Sequence, residues 1–61
     1  MEEKLYQLYI KKDEESDWDT KGKKTANRNI LEIVAKYEVE NNGKFSAQVI
    51  DLDTDQPVYW I

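Results

Sequence analysis

Cysteine and histidine are both missing from the 61 residues, and each absence closes off a region of chemistry. Without Cys there is no disulfide and no thiolate metal site. Without His the commonest general base and the commonest zinc ligand are gone. Glycine occurs only twice and proline once, so no glycine-rich phosphate cradle exists; Gly22 and Gly43 read as isolated turn residues. No apolar run approaches the ~20 residues of a membrane span. The start, "MEEKLYQLY", is acidic where a secretory signal is basic. These features predict a cytoplasmic protein without a membrane partner. Basic excess is lacking too. Thirteen acids against nine bases leave a formal charge of −4, which disfavours bulk attraction to nucleic acid.

Large size is the last thing the chain lacks. One domain over residues 1–61 is all it can form. Burial on folding is worth about 95 kcal/mol at about 25 cal/mol/Å². Ordering the residues costs about 90 kcal/mol. The two nearly cancel, and a domain this small usually adds a staple, a metal or a partner chain. With the first two closed off, a homodimer is the expectation.

What is present is a clear alternation in the middle of the chain. Along Leu31, Ile33, Ala35, Tyr37 and Val39 every second residue is apolar, with Glu32, Lys36, Glu38 and Glu40 between them. That period predicts a strand over about 28–40. In "ENNGK" the two Asn then suit a turn and Gly43 a left-handed bulge position. Across that turn Glu40 meets Lys44, Val39 meets Phe45 and Tyr37 meets Ala47. A similar pattern, Asp19-Thr20-Lys21-Gly22-Lys23, predicts a second turn. The span 13–29 is accordingly a polar charged loop or hairpin arm. "QVIDLDTDQPVYWI" reads as strand, polar turn and short edge strand, with Pro57 near the start of the last.

The predicted fold is therefore all-β: a four-stranded antiparallel meander with strands at about 4–12, 28–40, 44–52 and 57–61. Its apolar face would be buried by dimerisation or curling, with Tyr37, Val39, Phe45, Tyr59 and Ile61 at the dimer interface. The alternative is α+β, a βαββ domain with a helix at about 27–41. Asn29 and Glu32 fit a loose capping box for it. Ile30, Ile33, Val34 and Tyr37 recur at helical spacing, and Gly43 sits where helices stop. Glu38 inside the apolar arc and Val39 outside it count against the helix, as do the β-branched residues.

Three stretches invite functional readings. "DEESDWD" surrounds Trp18 with Asp13, Glu14, Glu15, Asp17 and Asp19. An aromatic anchor in an acidic field suits a basic partner surface; a merely solvated loop is the plainer reading. "KGKKTANR" supplies Lys21, Lys23, Lys24 and Arg28, a basic arm that with Tyr6, Trp18 and Trp60 would suit single-stranded nucleic acid. The acids just upstream oppose phosphate. "DLDTDQ" opens like a calcium loop, but Gln56 stands where such loops need Gly and no twelfth-position Glu follows. No metal and no cofactor is predicted. No nucleophile–base pair can be argued either, so no enzyme is expected.

The functional expectation is a small acidic, non-enzymatic protein-interaction module. It would bind a larger protein through the Trp18 loop and act as an inhibitor by occupying its surface. Small acidic proteins of this style are common among accessory and phage-encoded regulators, an analogy of size and charge only. The alternative is a small β-sheet nucleic-acid-binding protein using the basic arm and exposed aromatics. A subunit that completes a larger assembly is a third reading.

Overall fold

Asn27 sets the course of the middle of the chain. In the structure, a computed structural model that describes residues 4–61, its side-chain oxygen accepts the Ile30 N–H at 3.3 Å. Its own N–H is held by the Thr25 hydroxyl oxygen at 3.1 Å. This cap starts helix α1 (Arg28–Asn41), because it satisfies a donor the first turn would leave orphaned. The other end is closed at Gly43, whose φ of +70° suits a residue without Cβ. The N–H groups of Asn42 and Lys44 both donate to the Glu38 carbonyl at 3.2 Å. "ENNGK" therefore stops a helix.

The strand expected at 28–40 is thus replaced by a helix, close to the 27–41 of the alternative. The cap lies two residues earlier than Asn29. The alternation misled because α1 carries apolar residues on two sides. Leu31, Val34 and Ala35 face inward, while Ile30, Ile33 and Tyr37 are exposed. Glu38, which spoils the inward arc on paper, is buried and paired: its carboxylate meets Lys21 Nζ at 2.9 Å and accepts the Asn42 amide at 2.8 Å. Burial of one face and this pairing outweigh the modest helix propensity of the β-branched residues.

Four strands complete the fold: β1 (Tyr6–Lys11), β2 (Trp18–Thr25), β3 (Ser46–Asp51) and β4 (Gln56–Trp60). They form one antiparallel sheet in the order β2-β1-β3-β4. Four antiparallel strands in one sheet match the expectation; their order is not that of a meander. The segment 18–25, assigned to the polar arm, supplies the fourth strand, and α1 carries the chain from β2 past β1 to β3. The turn expected at Thr20–Gly22 lies instead at 12–17. There Asp13 Oδ1 accepts from the Glu15 N–H at 3.0 Å and the Ser16 hydroxyl at 2.8 Å, an Asp-closed turn of the usual kind. Gly22, at φ +75°, sits where the β1–β2 register shifts, as bulges favour. Gln7 fills that bulge, donating its amide to the Gly22 carbonyl at 3.1 Å.

The core lies between α1 and one sheet face. Leu8 and Ile10 of β1, Ala47 and Val49 of β3, and Leu31 and Ala35 of α1 form one buried cluster. Ala35 and Ala47 are completely buried; having no side chain beyond Cβ, they let the helix approach closely. Val39, Tyr59 and Ile61, expected at a dimer interface, pack against this cluster instead. Tyr37 and Phe45 are exposed, so the five do not share one surface. On β1, Leu8 and Ile10 point to the core and Tyr9 away from it. The short turn before β4 hangs on Asp51, whose carboxylate accepts the Asp53 N–H at 2.9 Å and meets Lys4 Nζ at 3.2 Å. "DLDTDQ" thus makes a turn.

Candidate functional site

Side chains alternate across a sheet, so everything β1 and β3 do not give to the core stands on the opposite, helix-free face. The registers arrange it in rows. Trp18, Lys11 and Ser46 lie at the end nearest the 12–17 turn. Thr20, Tyr9, Gln48 and Trp60 follow, then Gln7, Ile50 and Pro57. Lys11 is the only charged residue among these ten, in a chain that is 36% charged; Lys23 and Lys24, in the bulged β2 segment opposite Gln7, and Asp55 add charge at the edges. Trp18 is 38% exposed and Trp60 66%. Depletion of charge together with Trp and Tyr is the composition of an interface centre rather than of ordinary surface.

A groove of about 270 Å³ crosses this face, lined by Tyr9, Trp18, Gln48, Ile50 and Asp55. Asp55 reaches it from the β3–β4 turn and has a positive φ of 60°, a region that L side chains other than Asn and Asp rarely enter. Lys11 lies to one side, its Nζ 6.0 Å from the centre of the Trp18 ring and 5.6 Å from that of Phe45. It does not line the groove.

The acids expected around Trp18 are only partly gathered. Asp13 builds the turn, and its hydrogen bond from the Ser16 hydroxyl, with those from the backbone, holds its carboxyl below the usual range. Glu14, Glu15 and Asp17 are exposed beside Trp18. Asp19 pairs with Ile10 and so stands on the helix side. Half of the basic arm is occupied: Lys21 holds Glu38, and Arg28 bridges Glu32 Oε2 at 2.7 Å and the Val58 carbonyl at 3.0 Å, while Lys23 and Lys24 are exposed. The contribution of Tyr9, Gln48 and Ile50 was missed because their face depends on pairing with β2 and β3. A period-two reading of "YQLYI" alone would have shown two half-apolar faces.

A hollow of about 450 Å³ lies where Tyr6 meets Ala26–Asn29. Two of its polar side chains are engaged, Asn27 capping α1 and Arg28 bridging. Among the described residues no cluster of three or more acids could hold a metal ion. No helix there is long and apolar enough to cross a membrane.

The fold and this face define a class: a one-helix, four-stranded antiparallel domain with an aromatic, charge-poor open sheet. Comparison with protein-family models, curated proteins and solved structures found no match to the chain.

Proposed function

We propose that the protein is a non-enzymatic interaction module that binds another protein through the open face of its sheet, with the acidic 13–17 turn at the rim. The observation that carries this reading is the charge-poor surface around Tyr9, Trp18 and Trp60. Aromatic anchors supply contact area at low entropy cost, and the small number of charges on the face, Lys11 and Asp55 among them, limits desolvation penalties. Glu14, Glu15 and Asp17 steer a basic partner surface toward the anchors. Occupying that surface is the mode of action, and inhibition its simplest outcome.

The experiment compares the wild-type chain with a Trp18→Ser, Trp60→Ser variant as bait in lysate of the source organism. A protein captured by the first and lost with the second, while circular dichroism of the two agrees, supports the site. Equal capture by both removes it.

One observation favours a second reading. Exposed Trp and Tyr on a sheet are also stacking platforms for single-stranded nucleic acid. Such platforms track phosphates with basic groups, whereas this face offers Lys11 and, at its β2 edge, Lys23 and Lys24, and is flanked by acids. Low-micromolar binding of an oligonucleotide at physiological salt would favour this reading over the first.

A further inference from the structure

We propose that the groove on the open face receives the guanidinium of an arginine side chain carried by the partner protein, an assignment that rests on the interaction reading above. The size is right for one side chain: about 270 Å³ falls short of the pockets that enclose small-molecule ligands. Tyr9 and Trp18 offer aromatic walls, which attract cations through their ring quadrupoles, Trp most strongly. Asp55 closes one end and Gln48 adds an amide. A planar cation that stacks and donates in a fork matches that set; the compact, strongly hydrated ammonium of lysine matches it less well. An apolar occupant would leave Asp55 and Gln48 desolvated without partners, and an anion would meet Asp55.

Two further observations point the same way. Among the described residues Asp55 has no ion pair, and it holds a backbone conformation that glycine would adopt without strain. The carboxylate is therefore present at the groove at some backbone cost, and free. Lys11 already lies within 6.0 Å of the Trp18 ring, so this aromatic accepts cationic company. A second copy of the chain cannot supply the occupant. The only arginine in the sequence is Arg28, whose guanidinium is committed to Glu32 and Val58 within its own fold.

The test is an amide and indole NMR titration of the full chain with four capped tripeptides, glycine-X-glycine, where X is arginine, lysine, citrulline or leucine. The arginine peptide should move the Trp18 indole signal and the Ile50 and Asp55 amides saturably. Citrulline, which keeps the shape without the charge, should bind about tenfold more weakly, as should arginine to Asp55→Asn, a substitution the turn tolerates. Trp18→Ala should abolish the effect. Equal shifts with leucine or citrulline would overturn the arginine assignment and leave the face as an interaction surface. No shift with any peptide would overturn the groove as a site, and the bait comparison would then judge the face independently. Movement of the same signals by a twelve-residue oligothymidylate, with arginine inert, would overturn both.

Discussion

Glu38 shows how much one side chain decides. It is 5% exposed, and its carboxylate is held by the Asn42 amide and by Lys21. These partners, Asn42 first, keep its acid form disfavoured, with the pKa below the ordinary value despite burial. The Asp51 carboxyl is held down likewise, first by the Asp53 N–H and then by Lys4. A depressed folded pKa gives stability that is complete above the unfolded value, about pH 4, and is lost as pH falls through the folded one. Thermal melts should therefore be flat near neutrality and fall steadily below about pH 4. Lys21→Ala, which leaves Glu38 with Asn42 alone, should cost about 1–3 kcal/mol in urea unfolding and weaken that acid dependence. Gly43→Ala meets no atom within 4 Å but keeps φ +70°. Its cost of about 1–2 kcal/mol should be backbone strain alone.

The helix makes the sharpest contrast between its two sides. Ala35 is completely buried while Ile33 is 69% exposed. Ala35→Leu must push the helix off β3 and should lose about 1–3 kcal/mol or more. Ile33→Lys should change stability by no more than about 0.5 kcal/mol. Similar costs at the two positions would contradict the helical phase, since a strand places residues 33 and 35 on one face. The edge strands are guarded. Lys21, Lys23 and Lys24 with the Gly22 bulge mark β2, and Pro57 marks β4. Such features discourage sheet extension by another strand.

The molecule as a whole buries with α1 the apolar sheet face that prompted the expectation of a homodimer. What remains open is about 19 Å across four strands and roughly 17 Å along them, a projected area of about 320 Å². Even at about twice that projection, the accessible area of such a face stays below the ~800 Å² per partner of a standard stable interface. Sedimentation at micromolar concentration should therefore report a monomer of 7.3 kDa. A dimer persisting there would overturn the monomer and point to the exposed outer side of α1, where Ile30, Ile33 and Tyr37 stand.

Local chemistry was legible along the chain wherever a residue acts on its neighbours. The punctuation at Gly43, the Asp-rich turn before Pro57, the strands around Tyr9, Val49 and Tyr59, and the absence of thiol and imidazole chemistry all follow from short-range rules. The middle segment was different, because 28–41 satisfies both a period of two and a period near 3.6. Which period prevails depends on Lys21 meeting Glu38, seventeen residues further along the chain, and on Ala35 finding Ala47 in the same buried cluster. The aromatic face was hidden for the same reason: Tyr9, Gln48 and Trp60 become neighbours only through strand registers. Contacts between distant residues are worth nothing until the chain closes around them, so no local window holds their energy.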